Sequence, residues 1–479
     1  MNLRQSVSSF LGITLLLSPL STAAGDVKKK EEAVASIEKR KAELTRMSDQ
    51  IWSFAETALR ETRSSKLLAD YAEAQGFSVQ RGVAGMPTAF VASYGSGKPV
   101  IGILGEYDAL PGISQKVSPA KEALEAGAPG HGCGHNLLGV ASLGAAVAVK
   151  EQIAAGKLRG TVRYFGTPAE EAIGGKLYML REGLFRDVDI VLAWHPGAQT
   201  NADTEGSLAN VSFIVEFFGK TAHAAADPWN GRSAVHGMEL FAHGMNLMRE
   251  HVKPTVRIHY AIEKGGDVPN VVPDYARIRC LIRDLTQAGV EDVFSRARKI
   301  ADGAALMADI QTKLTVDGGY ANIVVNLTGE KLLHSNLQWL GPLQYSADEQ
   351  EFARAIQRAT GKESKGLDGS VQALKEQPTE APRASSDVGD VSWAVPTVNL
   401  NVTTAPVGTP WHAWPVVASS GMSIGHKGMI FAAKALAATA VDLFEDAAAR
   451  DAIRAEFDQK TKGLAYKSYI PAGPPPAPK

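Results

Sequence analysis

Cysteine is scarce, with two in 479 residues, so a disulfide framework cannot carry the fold. The settings of the two also argue against their pairing. Cys133 sits in a Gly/His-rich loop, whereas Cys280 lies in the alternating run Arg277-Ile278-Arg279-Cys280-Leu281-Ile282-Arg283, which reads as a strand of a different domain. Cys280 is therefore expected to be structural and Cys133 a ligand. An excess of one sign of charge is also missing: 50 Lys and Arg stand against 51 Asp and Glu, a formal net charge of −1. That balance supplies no field to hold nucleic acid or an anionic membrane, and it suits a small neutral or zwitterionic substrate. The N-terminal apolar stretch, residues 10–20, is about half of the roughly 20 residues that span a bilayer as a helix. No internal repeat is evident.

The chain is too long for one small core, so two domains are expected. Arg4, the apolar stretch and the small-residue run Ser21-Thr22-Ala23-Ala24-Gly25 describe a secretory signal peptide over residues 1–24. Its removal implies a periplasmic or secreted protein with no membrane attachment. Residues 28–59 read as a charged amphipathic helix. Strand-like runs at 88–94, 100–106, 161–166 and 188–194 alternate with helical runs such as 137–154 and 175–182. This alternation predicts an α/β sheet covered on both faces. From Leu208 the pattern becomes strand 211–218, helix 232–251, strands 255–262 and 276–285, helix 290–307 and strand 310–316. That β-α-β-β-α-β order predicts a ferredoxin-like unit at 208–320, inserted into a discontinuous catalytic domain of residues 25–207 and 321–470. Polar residues 361–383 are expected to form a surface loop, and the proline-rich residues 471–479 a disordered tail.

The strongest chemical signal is Gly130-His131-Gly132-Cys133-Gly134-His135-Asn136. Thiolate and imidazole suit zinc and similar divalent ions, and the glycines let the backbone bring the two side chains together. The loop follows Gly105-Glu106-Tyr107-Asp108-Ala109-Leu110-Pro111, at the end of a predicted strand. Two further strand ends carry Thr167-Pro168-Ala169-Glu170-Glu171 and Trp194-His195-Pro196. Sites in open α/β sheets lie at such edges. Of two adjacent carboxylates, one can bind metal while the other moves protons. Alone, Glu170-Glu171 would read as a solvated helix start.

Together these stretches resemble the M20 metallopeptidases, in the amidohydrolase branch that includes auxin-conjugate hydrolases and N-acyl amino acid amidohydrolases. Residues 386–393 and 407–412 share the resemblance, which covers nearly the whole chain after residue 24. It implies a zinc-peptidase-like catalytic domain with an inserted ferredoxin-like lid that forms a homodimer. It also implies one or two divalent ions, Zn or Mn, on Cys133, His135, Glu171, His195 and His412, with His426 as the alternative last ligand. Glu170 matches the general base, and Asp108 the carboxylate that orients a metal-binding residue. His223 matches a histidine of the inserted domain that stabilises the oxyanion, often across the dimer interface. Asn270 and Arg232 match substrate-contacting positions. Asn136 and Glu106 depart from the commoner residues of the branch, which leaves metal number and identity open.

The implied reaction is hydrolysis of the amide bond of small N-acyl amino acids, with substrates like p-aminobenzoyl-glutamate favoured. The alternatives are a dipeptidase or aliphatic aminoacylase, or a non-catalytic subunit of a heteromeric hydrolase with a second chain. A competing motif, Gly421-Met422-Ser423-Ile424-Gly425, has the form of a serine-hydrolase elbow. Downstream it has only His426, three residues on with no acid between, so it cannot complete a triad.

Overall fold

The computed structural model describes residues 27–377 and 384–477. The expected signal peptide, part of the 361–383 loop and residues 478–479 lie outside the described residues. The long helix α1 (Val27–Phe54) buries Ala33, Ile37, Leu44, Met47 and Ile51, a stripe at helical spacing, and turns most of its lysines and glutamates outward; Lys30 is buried, 2.8 Å from Asp442 Oδ2. It is followed by α2 (Thr62–Ala74), β1 (Ser78–Arg81), β2 (Phe90–Gly95), β3 (Val100–Gly105), α3 (His135–Ala154), β4 (Thr161–Gly166), α4 (Gly175–Arg181), β5 (Ile190–Gly197) and β6 (Asn201–Ala202). The inserted unit then runs β7 (Ala209–Phe218), α5 (Ala234–Met248), β8 (Arg257–Gly265), β9 (Tyr275–Asp284), α6 (Gln287–Ala308) and β10 (Gln311–Tyr320). The chain closes with α7 (Leu327–Leu340), α8 (Ala347–Ala359), α9 (Val388–Ala394), β11 (Thr397–Thr403), α10 (Trp414–Ser420), α11 (Ser423–Glu445) and α12 (Ala447–Thr461).

The large sheet has the order β1-β2-β4-β3-β5-β11-β6. Its central strands β4, β3, β5 and β11 are parallel, so their C-terminal ends share one edge. Such strands must be covered on both faces, which explains their nearly continuous apolar runs. One face is covered by α3, itself packed between the sheet and α1 and α11. By length and composition α3 could cross a membrane, but 78% of that window is buried inside the protein. Its alanines and glycines are what a helix surrounded on all sides requires. The opposite face is covered by α4 and α9.

The inserted sheet is antiparallel, with the order β10-β7-β9-β8, and α5 and α6 cover one face around a separate core. This is the ferredoxin-like arrangement. In β9 the residues Ala276, Ile278, Cys280 and Ile282 point into that core, leaving Arg277, Arg279 and Arg283 on the other face. The helix expected at 232–251 begins at Ala234, because the Ser233 hydroxyl caps it by accepting from His236 N–H, and it ends in a 3₁₀ turn, Arg249–His251. Both cysteines are free and buried. At the start of the expected tail, Pro471 accepts a hydrogen bond from Arg181 through its carbonyl, and Tyr469, just before the tail, is buried in the core of the inserted unit.

Candidate metal centre

The large sheet and its loops bring Asp108, Cys133, His135, Glu170, Glu171, His195 and His412 together. In the glycine-rich loop, Gly134 takes φ +75 and a Cβ there would come within 3.0 Å of Pro196, so both the turn and the close approach call for glycine. The next residue, His135, opens α3 and is fully buried. Its Nδ1–H donates to Asp108 Oδ1 at 2.9 Å, which turns Nε2 toward the other donors, where it would bind a metal on giving up its proton. On β5, His195 Nδ1–H donates to the Pro196 carbonyl at 2.8 Å, and its Nε2 lies 3.3 Å from Cys133 Sγ. Asp108 has a second duty, since its Oδ2 accepts Glu171 N–H at 2.9 Å.

His412 arrives from the loop after β11. Its backbone is left-handed, with φ +56, and its N–H donates to Gly132 O at 3.0 Å. A non-glycine residue there persists only where its surroundings fix it, and such outliers cluster at functional sites. His412 Nε2 lies 3.4 Å from Glu171 Oε2. The proposed alternative, His426, is engaged elsewhere: it faces Asp49 at 2.8 Å on α11 and joins no cluster of metal-binding groups among the described residues.

Ligand atoms of Cys133, His135 and His195 lie within 4.8 Å of one another, as do those of Cys133, Glu171 and His412. The two trios share the Cys133 sulfur, and their residues would hold the metal. A third group joins Glu106, His135 and Glu170. Buried Glu171 Oε1 has no hydrogen-bond partner among the described residues, and His135 Nε2 and Glu106 Oε2 lie 3.2 Å apart without the geometry of a hydrogen bond; buried groups of this kind call for a further partner. Sulfur, imidazole nitrogen and carboxylate oxygen are the donor set of zinc and, on the oxygen side, manganese. The residues therefore fit one or two divalent ions.

The electrostatics point the same way. Burial, helped by the charge of His135, lowers His195 to about 4, so it stands as a neutral ligand. Burial pushes the Cys133 thiol up. Burial and the charges of Glu106, Asp387 and Glu171 hold the Glu170 carboxyl well above the usual range. A divalent cation is the charge that would let these groups ionise together. Behind them Lys176, fully buried, places its Nζ 2.6 Å from both Glu106 Oε1 and Asp387 Oδ1. Glu106 Oε2 in turn lies 3.2 Å from His135 Nε2.

The centre opens into a cavity of about 850 Å³ that Glu106, Cys133, Glu170, Glu171, His195 and His412 line together with Trp411, Asn399, Ser385 and Arg283. Arg283 was not singled out from the sequence, although its place on the polar face of an alternating strand was the available signal. It is half-buried and donates to Ser385 Oγ at 3.1 Å. His223, Arg232 and Asn270 are not brought to this cavity within one chain. His223 is exposed, with Nδ1 accepting from Ala225 and Ala226 N–H, and it pairs with Val271. Arg232 binds Asp309 at 2.6 Å beside a second cavity on the inserted unit, and the carbonyl of exposed Asn270 accepts Ala224 N–H. The Ser423 hydroxyl is bound by Glu349, and the downstream His426 faces Asp49.

The sequence profile of the Peptidase family M20/M25/M40 matches residues 102–405. Over 473 residues the chain is 40% identical to the B subunit of p-aminobenzoyl-glutamate hydrolase of Escherichia coli (strain K12), covering 92% of this chain and 98% of that one. It is 29% identical over 448 residues to the Xaa-Arg dipeptidase of Mus musculus, covering 90% and 92% respectively. Among solved structures, a dinuclear metal-binding peptidase from Bacillus subtilis, the YXEP protein, superposes with a TM-score of 0.60 at 18% identity, over 85% of this chain and 99% of that one. That likeness supports the fold.

Proposed function

We infer the function from the premise that the chain belongs to peptidase family M20/M25/M40: it is a metal-dependent amidohydrolase that cleaves the amide bond of small N-acyl amino acids. The observation that carries this reading is the pair of ligand trios sharing Cys133, with the Glu170 carboxyl beside them. When bound, divalent ions supply Lewis acidity, lowering the pKa of water toward about 7 and polarising the amide carbonyl. Glu170 accepts the proton of the attacking water and returns it to the leaving amine nitrogen. Asp108 fixes the tautomer of His135 and the backbone of Glu171. Zn or Mn suits the donor set.

Arg283 supports an amino-acid product with a free carboxylate, since its guanidinium reaches the same cavity from the inserted unit. The Escherichia coli relative, as one subunit of p-aminobenzoyl-glutamate hydrolase, supports substrates of that kind and the presence of a second, different chain. The mouse relative supports dipeptides as the second reading. The absence of His223 from the cavity lining of its own chain supports a homodimer in which each inserted unit completes the other site. The unpaired edge strand β8, with Ile262 exposed, offers the seam. The pattern of residues 1–24 supports export to the periplasm or the medium.

The test compares p-aminobenzoyl-glutamate, dipeptides and acetyl amino acids, each with its free carboxylate and as the amide. Arg283→Met should raise KM about ten- to a hundredfold for the carboxylates, the scale of a charged hydrogen bond, and leave the amides unchanged. Equal effects on both series would remove Arg283 from the reading.

A further inference from the structure

The segment 167–171 is pinned around Glu170 from three directions. The N–H of Ala169 donates to Glu61 Oε1 at 2.9 Å. The N–H of Glu171 donates to Asp108 Oδ2 at 2.9 Å. The carbonyl of Glu170 itself accepts the Tyr320 hydroxyl at 3.2 Å. Ala169 is left-handed, with φ +61, and fully buried, a backbone state an alanine keeps only when its neighbours over-determine it. Two glycines make room for the arrangement. A Cβ on Gly174 would come 2.6 Å from the Tyr320 ring, and one on Gly175 would come 2.0 Å from Pro168 O.

Asp108 has a role at the metal-binding residues, but Glu61 and Tyr320 are absent from the cavity lining. Glu61 is fully buried just before α2. Tyr320 ends β10, where it pairs with Asn210 of the inserted sheet. The following residue, Ala321, is fixed by Asp390, which accepts its N–H at 3.1 Å. Tyr320 therefore stands where the inserted unit rejoins the catalytic domain, with its hydroxyl on the backbone of the base.

We propose that Glu61 and Tyr320 are positioning residues that hold Glu170 through its backbone, with Tyr320 tying the base to the seat of the inserted unit. This rests on the reading of Glu170 as general base. Misplacing such a group by about 1 Å costs on the order of a hundredfold in rate.

The full-length chain loaded with Mn²⁺ serves for the test, with kcat, KM and bound metal measured for each variant. Tyr320→Phe and Glu61→Ala should each lower kcat about ten- to a hundredfold, with KM and metal content unchanged. Glu61→Gln keeps an acceptor for Ala169 N–H and should restore most of the rate. In a Glu170→Gln background, neither Tyr320→Phe nor Glu61→Ala should lower the residual rate further. If Glu170→Gln alone loses turnover while Tyr320→Phe and Glu61→Ala keep theirs, the positioning role is overturned and the base assignment stands. Normal turnover by Glu170→Gln overturns both. Loss of metal in Tyr320→Phe, or equal damage from Glu61→Gln and Glu61→Ala, replaces positioning with a purely structural role.

Discussion

Replacing Lys176 by Met leaves two carboxylates in a dry interior with no cation between them. The lysine side chain is 0% exposed, Asp387 0% and Glu106 4%, and both contacts are 2.6 Å, so solvent screens none of the three. Burial works to raise both acids. Lys176 and His135 outweigh it for Glu106, which is held below the usual carboxylate range, while Asp387 remains raised despite Lys176. Removing one partner of a buried ion pair costs about 3–5 kcal/mol, and methionine fills most of the lysine volume, so the loss should be charge rather than packing. The assay is urea unfolding of chelator-treated protein at pH 7.5 and at pH 5. The variant should lose about 3–5 kcal/mol at pH 7.5 and less at pH 5, where the freed carboxyls can take up protons. Combining Lys176→Met with Asp387→Asn and Glu106→Gln should recover most of the deficit. A loss under about 1 kcal/mol, or one that does not change with pH, would refute the buried triad.

Glu170→Gln should keep its bound metal by elemental analysis and lose at least about a hundredfold in kcat; unchanged turnover would move the base elsewhere. Asp390, raised by burial to about 8, keeps its proton in the folded chain while the unfolded chain, near 3.8, has lost it. That stabilisation is complete below pH 3.8 and declines at about 1.4 kcal/mol per pH unit until it is gone near pH 8. Asp390→Asn should therefore flatten the fall of Tm between pH 5 and pH 8, and parallel profiles for the two proteins would contradict the assignment. A mixture of inactive His223→Ala and Glu170→Gln chains, unfolded and refolded together, should regain about a quarter of wild-type activity if His223 serves the partner's site. No recovery would confine His223 to its own chain.

The fold class was legible because its signals are local. Apolar strand runs alternating with helical spacing produce the covered parallel sheet, and a change in element order at residue 208 marks the four-stranded antiparallel unit. The donors of the metal centre were also conspicuous, since Glu170-Glu171 and His195 stand at the ends of parallel strands and Cys133-Gly134-His135 opens the helix that follows β3. What escaped the sequence is contact across long separations. Lys176 meets Asp387 across 211 residues, and Glu61 meets Ala169 across 108. A lysine after two glycines carries no local sign that it will be buried, and an alanine gives none that it will turn left-handed. Arg283 was visible only as the polar phase of a strand, and the register that aims it at Ser385 is set by pairing with β7 and β8. His223, Arg232 and Asn270 illustrate the converse: their motifs are recognisable, yet within one chain they lie outside the metal-site cavity.

The central claim, metal-dependent amide hydrolysis at the Cys133 centre, is tested most directly by loading the purified chain with Zn²⁺ or Mn²⁺ and following p-aminobenzoate release from p-aminobenzoyl-glutamate. The account predicts release that a chelator abolishes, that added metal restores, and that Cys133→Ala lacks. Release that persists after complete metal removal, or that survives Cys133→Ala with metal content unchanged, would contradict it.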